Sequence, residues 1–474
     1  MGARYITTTL PYVNADPHVG FAMEILQADV LARVWRVQGA EVFFNTGSDE
    51  HGQKLFQAAE KAGQEVQAYV DHYAERFSEL SKALGLSEHA FIRTTDAKHV
   101  AAAQEMWRRC EAAGDIYKKS YTGLYCIGCE SYKTEKDLVN GECPEHPGKP
   151  VETVTEENYF FKFSAYQDRL LEYLSREGVI MPEWRRQEAI NFVEGGLEDF
   201  SISREAARLS WGIPVPGDES QVMYVWFDAL TNYISTLGWP DEGGDFKKYW
   251  AEGQTLQMAG KDQVRFQSLM WQAMLMSAGV KNTDQVFYHG FITSGGQKMS
   301  KSLGNVINAL DLVGEYGTDA VRYILLRHVS PMDDSDLTLD AIREHYTAHL
   351  TNGLGNLVAR VMKLAEANLP EPVEVKDVAA PAEYVSALEA FEFNKVMDLI
   401  WAKIAVADER ITNEKPFAVV KEDLAKGQEM LRALVRDLHE IATLLAPFMP
   451  STSQNILAAI RENKKPDNLF PRLP

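Results

Sequence analysis

Twice near the N-terminus a β-branched, apolar run gives way to a helical one. "RYITTTL" reads as a strand rich in β-branched residues and stops at Pro11. Asp16 offers an N-cap and Pro17 suits a first helical position. Ile25, Ala28, Ala32 and Trp35 then recur at helical spacing until Gly39 closes the helix. "EVFFNTG" is a second strand, and "DEHGQKLFQAAEKAG" a loop running into a second helix. Strand, helix, strand and helix in turn predict a parallel sheet with crossover helices. Such sheets bind ligands beyond the carboxyl ends of their strands, where "PHVGF" and "GSDEHG" stand.

From about Tyr117 the alternation breaks into short turns and aromatic strands such as "ENYFFKF". It resumes near "QVMYVWFDAL" and continues through "QTLQMAGKD" and "VFYHGFI". Residues 117–218 are therefore expected to be an insertion that splits one α/β domain. Beyond about residue 345 the pattern is almost wholly helical, interrupted by "LPEPVEVKDVAAPAEY", which predicts a separate helical bundle.

A length of 474 residues leaves ample room for several domains and a large core. No apolar run approaches the roughly 20 residues of a membrane helix. "MGARYITTTLPY" runs straight into a strand pattern, without the regions of a secretory signal. A cytoplasmic protein with no membrane partner is expected. The net charge of −20, from 48 basic and 68 acidic residues, argues against a generally basic nucleic-acid binder. A local basic surface on an acidic body can still dock a polyanion.

Three of the four cysteines crowd into one short segment, as Cys126-x₂-Cys129-x₁₃-Cys143-x₂-His146. Paired ligands two apart form a knuckle suited to one tetrahedral Zn²⁺. With all four positions filled by side chains, the site is expected to be structural. Cys110, outside the spacing, is expected to be a packed helix cysteine.

Two further stretches carry chemistry. His18 falls at the start of a helix, where backbone N–H groups and the dipole favour an anion, and Gly20 would let a nucleotide approach the backbone. "SGGQKMSKSLG", Ser294 to Gly304, is a glycine-hinged loop with lysines either side of Ser300. Lysines so placed can swing onto a triphosphate and neutralise developing charge.

Together, "PHVGF" and "KMSKS" resemble the two signatures of class I aminoacyl-tRNA synthetases. "TLPYVNADPHVG", "GSDEHG", "WGIPVPGD", "YVWFDALTNYIS", "GKD" and "VFYHGF" narrow the resemblance to the methionyl-tRNA synthetase family. It implies a split Rossmann-type sheet in residues 1–116 and 219–310, interrupted by a zinc-bearing insertion in 117–218. A connecting, stem-contact segment in 311–345 and a helical anticodon-binding domain in 346–474 follow. The implied activity is ATP-dependent formation of methionyl-adenylate, then transfer to the 3′ end of tRNA(Met). The implied ligands are ATP with Mg²⁺, L-methionine and tRNA(Met), the latter two chemistries carried by one monomeric chain.

Residue by residue, the resemblance assigns catalysis to His18, Lys298 and Lys301. It places ATP at His18, Gly20, Glu24, Gly260, Asp262 and Lys301. Asp49 matches the carboxylate that holds the methionine ammonium, with Tyr12, Trp226, Ala229, Tyr233 and His289 around the thioether. Asn356, Arg360 and Phe417 match the anticodon readers, where relatives often carry Trp in place of Phe417. Phe21 stands where the first signature usually ends in a second histidine, and Ala259 and Leu230 replace bulkier or proline residues of some relatives. A synthetase for another apolar amino acid is a rival reading, but leucine, isoleucine and valine enzymes carry a far larger editing insertion. A zinc-dependent RNA-binding module with a vestigial nucleotide site is a second rival.

Overall fold

The computed structural model describes residues 2–128, 131–144, 146, 148, 151–299 and 305–473. The chain forms two compact units: Met1–Pro17, Trp35–Ser81 and Ser87–His289 in the first, and His18–Val34, Lys82–Leu86 and Gly290–Pro474 in the second.

The first unit is built on the expected parallel sheet. Its six strands lie in the order Ala90–Arg93, Glu41–Ser48, Ala3–Thr7, Gln254–Gly260, Gln285–His289, Ile180–Met181. Every neighbouring pair is parallel. The central strand Ala3–Thr7 is covered on both faces, so Tyr5 and Ile6 are buried without alternation. The core around it is strongly aromatic, with Trp107, Phe227, Trp250, Trp271 and Tyr288 all closed off from solvent. Trp107 meets the face of Phe227 edge-on with centroids 5.5 Å apart.

Residues 117–218 supply more than a decoration. Ile180 and Met181 pair with Val286 and Phe287 to form the sheet's outer strand. The segment also carries the helices Gln167–Leu174 and Glu183–Glu194 and an antiparallel sheet around a long hairpin, Ile116–Cys126 against Val151–Phe161, in register from Ile116↔Phe161 to Cys126↔Val151.

The second unit contains the helix Val19–Val37 as far as Val34. This helix starts at Val19, later than the Asp16–Pro17 capping signal implies. The Asp16 carboxylate lies before that start and accepts a hydrogen bond from Arg76 Nε at 3.0 Å. From Val19 to Ala32 nearly every residue is buried, including Asp29. Arg322 offsets that charge: its guanidinium donates to Asp29 at 2.8 Å and to the carbonyls of Phe448, Leu84 and Pro447. A small sheet of Gln297–Lys298, Ile292–Ser294 and Ser335–Asp336 precedes a helical region from Leu339 to Glu462. The proline-containing stretch 369–381 breaks it, as expected. Among the described residues no helix is long and apolar enough to cross a membrane.

Candidate functional site

In the first unit, a loop after strand Ala3–Thr7 is stitched to the end of strand Glu41–Ser48. Asp49 N–H donates to Pro11 O at 3.0 Å and Val13 N–H to Asp49 O at 3.3 Å, pairing Tyr12 with Asp49. Asp49 is only 2% exposed. The Tyr12 ring meets Trp226 edge-on at 6.2 Å, and Trp226 stacks on Phe266 at 4.0 Å. Trp226 and Ala229 sit on the short helix Val225–Ala229, whose end is held by Asn232 Nδ2 donating to Ala229 O. Tyr233 accepts from Gln267 Nε2 at 2.6 Å and meets Trp271 edge-on. Gly260 and His289 end adjacent strands as a register pair, and Asp262 lies exposed in the following turn. A buried carboxylate beside an aromatic cluster suits an ammonium and a polarisable thioether.

A polar layer that the sequence reading did not single out fixes this arrangement. Asp228 accepts from His51 Nδ1 at 3.1 Å and His99 Nε2 at 3.3 Å. A carboxylate only accepts, so those nitrogens carry the hydrogens, and His99 Nδ1 is left to accept from Ser235 Oγ at 3.0 Å. Burial works to raise the Asp228 pKa, but the charge and hydrogen bonds of His51 and His99 outweigh it and hold it below the usual carboxylate range. Glu50 is gripped by Arg93 through two bonds of 2.6 and 2.7 Å, and by Ser48 and Thr95. Thus both neighbours on the C-terminal side of Asp49 are riveted. The signal was present in "GSDEHG": three ionisable residues in a row at a strand end.

In the second unit His18 is exposed at the helix start. Gly20 N–H donates to His18 Nδ1 at 3.0 Å, so a neutral ring carries its hydrogen on Nε2. A Cβ on Gly20 would lie 2.8 Å from His18 Cε1. The imidazole rests against this glycine, which leaves no room there for a side chain. His18 also pairs with Asn308, and Val19 N–H donates to Ile307 O at 3.2 Å. This ties the helix start to the chain just past the lysine loop. Lys298 pairs through its backbone with Thr293. Lys301 lies outside the described residues. Glu24 and Phe21 are buried on the helix, at 3% and 7% exposure.

Cys126, Cys143 and His146 bring their ligand atoms within 4.8 Å of one another, and both cysteines are buried. His146 N–H donates to Cys143 O at 3.0 Å, the tight turn of a knuckle. A Cβ on Gly128 would lie 2.4 Å from the His146 ring, so that cradle needs glycine. Two thiols and an imidazole fit a Zn²⁺-type ion. Cys129 lies outside the described residues. Cys110 is a helix cysteine packed against Met106, and burial pushes its thiol up to about 12.

In the helical region, Asn356 and Arg360 lie one turn apart on helix Asn356–Asn368. Asn356 is exposed, whereas Arg360 Nη1 pairs with Asp408 at 2.8 Å. Phe417 follows Pro416 at a helix start and is 45% exposed, so its ring is accessible from solvent.

Residues 4–362 match a family profile described as "tRNA synthetases class I (M)", and residues 365–471 one described as "Anticodon binding domain of methionyl tRNA ligase". The chain is 40% identical over 470 residues to the methionine–tRNA ligase of Mesorhizobium japonicum, covering 96% of this chain and 90% of that one. It is 39% identical over 469 residues to that of Caldanaerobacter subterraneus subsp. tengcongensis, covering 95% and 73%. Its structure is similar to that of Mycobacterium tuberculosis methionyl-tRNA synthetase in complex with methionyl-adenylate, with TM-score 0.89, 36% identity, and coverage of 100% and 99%.

Proposed function

Since the chain belongs to the methionyl-tRNA synthetase family of class I synthetases, we propose a role in that chemistry for each of its site residues. The enzyme activates methionine with ATP to methionyl-adenylate and charges tRNA with the methionyl group.

In the first step a methionine carboxylate oxygen attacks the α-phosphorus as the bond to the β-phosphate oxygen breaks and pyrophosphate leaves. The carboxylate is already ionised, so no base is needed and catalysis is positioning plus charge neutralisation. Asp49 receives the ammonium, and Tyr12, Trp226, Ala229, Tyr233 and His289 enclose the side chain. His18 donates from Nε2 to a phosphate oxygen, its ring oriented by the Gly20 amide. Gly20 thus acts through His18, while Glu24, Gly260 and Asp262 lie near the ribose and amino acid. Lys298 and Lys301 neutralise the triphosphate as charge moves to the leaving group. Mg²⁺ arriving with ATP supplies further neutralisation. In the second step the tRNA 3′-terminal hydroxyl attacks the acyl carbon and AMP leaves.

Cys126, Cys129, Cys143 and His146 hold one structural Zn²⁺, and Asn356, Arg360 and Phe417 read the anticodon. The five-part division at residues 116, 218, 310 and 345 accompanies these roles, and the metal-ligand spacing of three clustered cysteines suits a reducing cytoplasm. The observation that supports the amino-acid assignment best is the pairing of buried Asp49 with Tyr12 beside Trp226. ATP–pyrophosphate exchange tested with each of the twenty amino acids should respond to methionine alone. Asp49→Ala should abolish that response, and an unchanged methionine KM in this variant would refute the pocket.

A further inference from the structure

We infer that His328, His345 and His349 form a second metal site, for a zinc-class divalent cation. It lies at the root of the helical region, away from the cysteine knuckle in sequence and in the other compact unit.

The chain brings the three rings together by two devices. His345 ends the helix Leu339–His345, and His349 lies four residues on in the π-helical continuation Tyr346–Gly355. Such spacing puts two imidazoles on one helical face, as in helix-borne zinc sites. His328 comes from the end of helix Thr318–Arg327. One ligand nitrogen from each lies within 4.8 Å of the others. All three are half-buried, which leaves a route for an ion from solvent.

The surroundings orient the rings. Tyr323 Oη lies 2.7 Å from His349 Nδ1 and 2.9 Å from His328 Nε2, and it accepts from Arg327 Nη1 at 2.8 Å. Each of those rings has a second nitrogen, so a metal bond there can coexist with the outer hydrogen bond to Tyr323. Arg327 is itself balanced by Asp398 at 2.8 Å and lies over Trp401. Among the described residues no carboxylate is hydrogen-bonded to the three rings. An imidazole donor set suits Zn²⁺, Ni²⁺ or Cu²⁺ and disfavours Mg²⁺ and Ca²⁺.

His328 and His345 stack at 3.6 Å with their planes 3° apart, and His349 lies 5.3 Å from His328. The imidazole nitrogen lone pairs that bind a metal lie in the ring planes, so a loaded site exchanges this stack for rings turned toward a common centre. Zn–N bonds of about 2.0–2.1 Å at tetrahedral angles put ligand atoms about 3.3 Å apart, a closure within reach of side-chain rotation. Three imidazoles leave a fourth position for water. The bound ion would fasten helix Thr318–Arg327 to the helix that continues into Asn356 and Arg360. Tyr323, packed against Trp401 with ring centroids 4.4 Å apart and planes tilted by 32°, extends the link to helix Phe393–Glu414, which carries Asp408.

The test uses the full chain with its cysteine site zinc-loaded and loose metal removed. Equilibrium dialysis with Zn²⁺ should show one more equivalent bound by the wild type than by His345→Gln or His349→Gln. Added Zn²⁺ should raise the melting temperature of the wild type but not of either variant, with all three melting alike in a mild chelator. Equal stoichiometry would overturn the site. Should a variant fold poorly, the wild type decides alone: Zn²⁺ should slow diethyl pyrocarbonate labelling of His328, His345 and His349 at least tenfold. Unchanged labelling would show a packed, metal-indifferent histidine stack.

Discussion

His18 rests on Gly20: the glycine amide donates to Nδ1 at 3.0 Å, and the ring occupies the space a Cβ would need. Gly20→Ala should therefore dislodge the imidazole without touching the methionine pocket. Methionine-dependent pyrophosphate exchange should slow by about 10- to 100-fold, or roughly 1.4–2.8 kcal/mol of barrier, with methionine KM within about twofold. An unaltered rate would mean that His18 needs no such support.

Phe21 is buried on the same helix, which favours a packing role over a missing hydrogen-bond donor. Phe21→His should change the single-turnover adenylation rate by less than about tenfold, roughly 1.4 kcal/mol. It should lower stability by about 1–3 kcal/mol, because a polar ring replaces an apolar one. A rate gain well beyond tenfold would reveal a donor that the natural enzyme lacks.

Arg322 is fully buried and serves Asp29 together with three backbone carbonyls. Arg322→Met should cost about 3–5 kcal/mol in denaturant unfolding, since it takes a buried partner from Asp29, which keeps only the part-exposed Arg33 of the two guanidinium partners, and leaves three buried carbonyls without their donor. Asp29→Asn should cost less, because the guanidinium keeps its carbonyl partners. The reverse ranking would contradict this account.

Asp228 gives a pH dependence. Its carboxyl is held below the ordinary value, so its charged form favours the folded state. That contribution is complete above the unfolded-state pKa of about 4 and drains away as pH falls through the depressed folded value. Asp228→Asn should lose about 1.5–3 kcal/mol at neutral pH and show a flatter acid limb in unfolding experiments. Methionine KM should rise as well, since Trp226 and Ala229 flank the residue. Identical acid limbs would place the titration elsewhere.

Zinc chelation, or Cys126→Ser, should lower the melting temperature and expose the hairpin Ile116–Cys126 with Val151–Phe161 to protease, because metal binding and local folding are coupled. Elemental analysis of active enzyme should find zinc. A normally melting serine variant would refute the assignment.

The parallel sheet was legible because "RYITTTL" and "EVFFNTG" are buried on both faces and carry no competing periodicity. The aromatic pocket was legible only by resemblance: singly, Tyr12, Trp226 and Tyr233 are indistinguishable from the many core aromatics around them. The helix begins at Val19 rather than beside Asp16 and Pro17, and Asp16 pairs instead with Arg76, a long-range partner that no local capping signal announces. The Asp228–His51–His99 layer was hidden because its members are far apart in sequence and polar pairing leaves no periodic trace. His345 and His349 stand four apart in the sequence, but His328 joins them only through the fold, so the three-histidine cluster had no contiguous signature.

The outer strand Ile180–Met181 belongs to the segment that interrupts the sheet's own sequence. That segment is therefore no detachable cassette. Excising residues 117–218, or grafting them from a cousin, would bare the backbone edge of Gln285–His289, a row of unpaired amides and carbonyls that invites intermolecular strand addition. The base of this appendage is a working part of the nucleotide fold, and a transplanted insertion would have to bring its own edge strand to close the sheet.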